Sequence, residues 1–287
     1  MDNRKYVHPI RLNNLNIFIL FIILVGKMKY WYARKGYYED NELHLFFYKD
    51  DYYEFTPNNL SQWEKLARIK QDFYNTKELI DPFRVASGIL LVTNDNKYVF
   101  YIRDPNSYVY PRHIQFFGGI LKHREFIHRN ATRSFINEVF VWDNNGPIRI
   151  KFENAWSKKD EEIFQETLKK ATLLPINLPT TNKITDIIAR KHFPCATEPT
   201  KIIMYVDDTE TEISKGYFMY DKNTNSIEIM YVYKIDKNSS EINMISTEAI
   251  SNPVIFIPQE TLIAIKKSFF APNTQIITDI LDNCIEL

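Results

Sequence analysis

Cysteine is nearly absent. Cys195 and Cys284 are the only two in 287 residues, and neither belongs to a Cys-x-x-Cys pair. A thiolate zinc site of the usual spacing is therefore excluded, and the pair is read as two reduced thiols of a cytoplasmic protein. A charge excess is missing as well. Lys+Arg and Asp+Glu both number 36. No whole-molecule field draws the chain to nucleic acid or to an anionic membrane, so sequence-specific nucleic-acid binding is not expected. Any anion preference must come from a local patch.

Long apolar runs are also lacking. Ile17–Val25 is wholly apolar but only nine residues long, about half of what a helix needs to span a bilayer. Arg4, Lys5 and Arg11 precede it, as in a secretory leader, yet no small-x-small cleavage pattern follows. Residues 1–27 are read as an apolar N-terminal extension or buried segment, with Met28 as an alternative start. A targeting signal and membrane association through residues 17–25 are the competing readings. Internal repeats and long low-complexity tracts are absent.

What the chain does have is core material: 45% hydrophobic residues, with 18 Tyr and 20 Phe. That suits one elaborated domain or two small ones. Residues 28–80 read as a small N-terminal module. Leu43–Tyr48 and Tyr52–Phe55 are predicted strands, and Ser61 with Glu64 makes a capping-box start for a helix that ends at Asp81–Pro82. Residues 82–287 read as a mixed α/β sandwich. Val85–Val92, Tyr98–Ile102 and Ile114–Phe117 are predicted strands leading into a double-glycine loop. Phe126–Phe140 is a predicted helix with Ile127, Ala131, Phe135 and Val139 facing inward, and Ile148–Phe152 a predicted strand. Helices are expected at Lys158–Thr172 and Lys183–His192, in an insertion at about 153–197. Strands follow at Lys201–Val206, Gly216–Tyr220, Ser226–Ile235 and Val254–Ile257, then helices at Pro258–Lys267 and Thr274–Cys284.

The densest pattern is Phe117–Val141, FGGILKHREFIHRNATRSFINEVFV. Gly119, five residues, Glu125, seven residues and Arg133 fall at fixed intervals, and Glu138 follows on the same predicted helix. This resembles the Nudix box, in which Gly, Glu and Arg at those intervals are followed by a Glu, an apolar position and a further pair of Glu. The order of strands before it resembles the Nudix fold too. The resemblance covers roughly residues 84–141. It implies a Nudix-like mixed-sheet α/β/α sandwich, here with a helical insertion and the small N-terminal module.

The resemblance further implies hydrolysis of a nucleoside diphosphate-linked substrate, with Mg2+ or Mn2+ held on carboxylates of the box helix and activating water. Carried over residue by residue, Glu125 and Arg133 form a structural ion pair and Gly119 lets the backbone approach metal and substrate. Glu138 becomes the principal metal ligand and Asn137 a neutral one, while Ser134 stands where a catalytic carboxylate belongs. One negative charge remains on a face that usually carries three, so weak metal binding is expected. Glu210, Glu212 and Glu228 are candidates to restore charge, and His128 to replace a ligand or base; each also reads plainly as a surface residue. Arg112, Lys122, Arg124 and Arg129 make a basic patch suited to phosphate. Tyr108 and Tyr110 offer rings to stack on a base. Two functions follow: a divergent pyrophosphohydrolase with an impaired site, or a catalytically inactive nucleotide sensor or protein-interaction module on the same fold.

Overall fold

A computed structural model describes residues 28–55, 78–79, 83–105, 107, 110–153, 156–174, 176, 178–179, 183–194, 198–221, 224–247 and 253–282. The apolar run 17–25, the predicted helix beginning at Ser61, Tyr108 and both cysteines lie outside them. Among the described residues no helix is long and apolar enough to cross a membrane.

In chain order the elements are β1 (Met28–Ala33), β2 (Lys35–Glu39), β3 (Glu42–Phe47), β4 (Tyr52–Phe55), β5 (Glu78–Leu79), β6 (Phe83–Val92), β7 (Lys97–Ile102), β8 (Ile114–Gln115), β9 (Phe117–Ile120), α1 (Ile127–Glu138), β10 (Val139–Asp143) and β11 (Gly146–Phe152). They continue with α2 (Lys158–Thr172), β12 (Thr185–Lys191), β13 (Thr200–Val206), β14 (Thr209–Asp221), β15 (Ser226–Lys234), β16 (Asn243–Ser246), β17 (Val254–Pro258), α3 (Gln259–Ala264) and α4 (Pro272–Asp282).

The organising strand is β6, buried over its whole length. Such a continuous apolar run belongs to a strand covered on both faces. It pairs in parallel with β15 from Arg84↔Ser226 to Val92↔Lys234, and on its other edge with β9 and the end of β7. Period-2 alternation divides its side chains. Val85, Ile89 and Leu91 enter a core shared with Ile127, Ala131 and Phe135 of α1. Leu90 and Val92 enter a second core with Phe270 and with Ile277 and Leu281 of α4. A mixed sheet thus lies between two helical layers, the sandwich the box resemblance implies. The strands of residues 28–55 join it: β1 pairs with β6, and β3 runs parallel to β13.

Three of the local differences from the sequence expectation change the type of an element or its end. The double glycine is not a loop, because Gly118 and Gly119 lie inside β9. The box helix stops at Glu138, and Val139, Phe140 and Val141 begin β10 instead, as β-branched and aromatic residues favour. Lys183–His192 is not a helix. Thr185–Lys191 is β12, whose Thr185–Ala189 pair in parallel with β11; its Ile187 and Ala189 are buried between more exposed residues, which is strand alternation. The helix predicted at Lys158–Thr172 is α2, and its Ser157–Asp160 capping box is formed on both sides.

Candidate functional site

Arg133 is the hinge of the site. Its Nε donates to both oxygens of Glu125 at 2.9 and 3.0 Å, and its Nη2 donates to Asn130 Oδ1 at 2.6 Å. Asn130 passes the connection on: its Nδ2 donates to the Gly119 carbonyl at 2.7 Å and to Ser87 Oγ at 3.0 Å. Ser87 Oγ in turn donates to the Ile127 carbonyl at 2.7 Å. The segment before the helix, the helix itself, β9 and β6 are thereby tied by one buried polar network. Asn130 sits one turn before Arg133, where side chains meet, but nothing in the sequence marked it.

The box face downstream of Arg133 carries little charge. Ser134 is 2% exposed, and a Cβ built on Gly119 would lie 2.9 Å from its Oγ, so helix and strand touch there. Asn137 Oδ1 accepts from Lys170 Nζ of α2 at 3.1 Å. Glu138 is 8% exposed. Thr247 closes the helix end, its N–H donating to the Glu138 carbonyl and its hydroxyl to the Asn137 carbonyl. Among the described residues no three His, Cys, Asp or Glu side chains gather closely enough to hold a metal ion. The donor set of Gly119, Ser134, Asn137 and Glu138 fits Mg2+ or Mn2+ poorly: it offers one carboxylate, and an ammonium group already contacts the amide oxygen.

None of the three downstream acids joins that face. Glu210 is exposed on β14. Glu212 reaches the opposite end of α1, where its carboxylate accepts from the N–H groups of Ile127 and His128 at 2.7 and 3.0 Å. The helix needs this, since Phe126 gives no side-chain cap and the first turn holds no acid. Burial raises the pKa of the Glu212 carboxyl, and the two N–H donors oppose the shift. His128 is no ligand either. Its Nε2 and the Tyr233 hydroxyl share a 2.6 Å hydrogen bond, and burial pushes the imidazole down to about 4.

Glu228 lines a cavity of about 160 Å³ on the α4 side of the sheet. The alternation of β6 makes that space: Arg84, Ala86 and Gly88 precede Leu90 on this face, and two of them are small. Register puts Glu228 opposite Ala86. Its Oε1 accepts from Ser226 Oγ at 2.7 Å, and burial raises its pKa, opposed by Ser226 and Arg84. Arg84 donates to the Thr224 carbonyl at 3.0 and 3.2 Å. Tyr110 hydrogen-bonds Asp221 at 2.8 Å across the mouth. Gly118 and Gly119 form one wall, and Arg103 another. Arg103 Nη1 is bonded to Gln115, whereas its buried Nε finds no acceptor among the described residues. Arg84 and Arg103 carried no sequence signal; one lies on β6 and the other just past β7, strands that pair with each other.

A second, more open cavity of about 430 Å³ lies on the α1 side. Three of the four sequence-predicted basic residues meet there, Lys122, Arg124 and Arg129, joined by Arg133 and by Lys159 of α2. Arg112 does not line it. Arg129 is paired with the buried Asp160, and Glu125 and Glu166 are the acids of the lining.

No family model matches the chain, and no curated protein matches it in sequence. Solved structures similar to it include a bifunctional NMN adenylyltransferase/ADP ribose pyrophosphatase from Francisella tularensis, 14% identical over 79% of this chain with a TM-score of 0.40. The chain spans about half of that protein, 47% of its length. A Nudix hydrolase from Nitrosomonas europaea is 9% identical, with 71% of this chain and 70% of that one covered and a TM-score of 0.33. A MutT protein from Methanosarcina mazei Go1 is 10% identical, with 71% and 96% covered and a TM-score of 0.36. Likenesses this distant add no weight to the geometry above. They leave the chain similar in outline to Nudix hydrolases at low identity.

Proposed function

We propose that the chain is a Nudix-type binding module for a nucleoside diphosphate derivative, with pyrophosphate hydrolysis impaired or lost. One observation carries this reading. The Glu125–Arg133–Asn130–Gly119 network is complete, while the face that should hold metal offers Ser134, an Asn137 oxygen contacted by Lys170, and a single buried carboxylate. The architecture of the box is kept and its charge is not.

The ligand belongs in the cavity walled by Gly118 and Gly119. Arg103 lines it, and its buried Nε has no acceptor among the described residues. Arg84, Glu228 and Asn273 supply further polar contacts for a hydrogen-bonding ring, and Tyr110 stands at the mouth. Mg2+ or Mn2+ is not needed for this: the Gly119 carbonyl already accepts from Asn130, and Glu138 does not line the cavity. The chain's own residues can hold and orient a ligand without it.

The test is equilibrium binding of a nucleotide-sugar and dinucleotide panel to the purified protein, with product assayed in Mg2+ and in Mn2+. Saturable binding without product, weakened in Arg103→Gln, supports the module. Product formed by the parent and abolished by Glu138→Gln would replace it with the hydrolase.

A further inference from the structure

The basic cavity between α1 and α2 shares no lining residue with the Arg84–Arg103 cavity and lies on the other face of the sheet. We propose that it is a separate binding site for a multiply charged phosphate, a diphosphate or longer.

Three observations carry it. Lys122 is half-buried, and the cations Arg133 and Lys159, which line the same cavity, act on its ammonium. Of the two acids in the lining, Glu125 is held through both oxygens by Arg133, and Glu166 is exposed on α2. Among the described residues neither Lys122 nor Lys159 has an ion pair. Burial and like charge both push the Lys122 ammonium down. A cation kept in that position without a partner is best satisfied by an anion from outside.

The cavity wall is also fixed rather than loose. Arg129 is anchored by Asp160 at the α2 N-terminus and Arg133 by Glu125, so two guanidinium forks hold their places. Arg124 sits at φ +61° in the turn between β9 and α1. Beside these, Phe126 is 51% exposed and lines the same space. A ring attached to the phosphates would rest on it. Free polyphosphate and the phosphate tail of a nucleotide share the recognised chemistry, and Phe126 is what would tell them apart.

The test uses the full chain in metal-free buffer, with calorimetric titration of inorganic tripolyphosphate and of a nucleoside diphosphate. Tripolyphosphate is expected to bind, more weakly as salt rises, and the Lys122→Gln/Lys159→Gln variant to lose at least tenfold in affinity. Removing mutually repelling cations should leave thermal stability unchanged or raised, so the loss cannot be unfolding. In the Arg103→Gln background, Phe126→Ala is expected to weaken the nucleoside diphosphate alone; equal weakening of both, or of neither, assigns the site to phosphate without a ring. Absence of tripolyphosphate binding, or binding undiminished in the double variant, overturns the proposal. Its fate is separable from that of the module: Arg103→Gln should leave tripolyphosphate binding intact, and nucleotide binding insensitive to Arg103→Gln would sink the other cavity without touching this one.

Discussion

Arg133 holds Glu125 by both carboxylate oxygens, at 2.9 and 3.0 Å, with each side chain only 10% exposed. A pair this sheltered is costly to break from one side. Arg133→Met leaves Glu125 without its partner and Asn130 Oδ1 without its donor, and is expected to cost about 3–5 kcal/mol. Glu125→Gln/Arg133→Met together should cost less than the two single changes added, because neither charge is then stranded. Urea denaturation of the four proteins measures this. Additive losses would show that the pair is not coupled.

Glu212 caps a helix 84 residues earlier in the chain. Glu212→Gln keeps an acceptor but removes the charge facing the positive end of α1, and should cost about 1 kcal/mol. Glu212→Ala removes both acceptors and should cost about 2 kcal/mol. Denaturation midpoints order the two variants. If the amide were worse than alanine, a capping role would be wrong.

Much of the fold could be read from alternation and periodicity. β6, α1, α2, β15 and β17 all fall close to their predicted limits, since each buries a stripe or a face that its own residues declare. The miss at β12 and those at the site have a common cause. Thr185–Lys191 has too few apolar residues to announce a strand, and becomes one because β11 offers a parallel edge. At the site, Glu125 with Arg133 was legible because the two share a local segment. The capping role of Glu212, and the places of Arg84, Arg103 and Lys170, were not, since they depend on pairings between distant strands or on the packing of α2 against α1.

The paired glycines separate cleanly. A Cβ on Gly118 would lie 2.7 Å from Gly88 Cα and 2.8 Å from the Ser87 carbonyl oxygen, both backbone, whereas one on Gly119 meets first the Ser134 hydroxyl at 2.9 Å. Gly118→Ala must force β6 and β9 apart, at about 3 kcal/mol. Gly119→Ala needs a side chain to shift, at about 1 kcal/mol. Thermal unfolding of both variants should show the larger drop for Gly118, the glycine that the box pattern does not count. The reverse order would mean that Gly119 is the tighter contact.

Restoring the box letters should not restore chemistry. Ser134→Glu places a long acid at a 2% exposed position against Gly119, so overpacking and a buried charge are expected to cost about 3 kcal/mol. Asn137→Glu should be accepted with little change, because Lys170 is there to pair with it. Metal-dependent release of product from a nucleotide-sugar is expected to stay at background in the double variant. A gain over the parent would show a worn hydrolase site that can still seat metal.

His128 gives the fold an acid-sensitive point. Burial first, then Lys191 and Arg129, push its pKa from an ordinary 6.5 down to about 4. The folded state therefore holds the neutral ring, which meets the Tyr233 hydroxyl at 2.6 Å. The unfolded chain takes up the proton first. Stability from this group is fully present above about pH 6.5, falls as the pH drops, and is lower by about 3 kcal/mol at pH 4. Carboxylates elsewhere also destabilise the fold in acid, so the informative quantity is a difference. His128→Gln can still hydrogen-bond Tyr233 and cannot titrate. The gap between parent and variant in urea midpoint should narrow or reverse between pH 6.5 and 4, in favour of the variant. A gap constant across that window would mean that His128 is protonated in the folded protein as readily as in the unfolded chain.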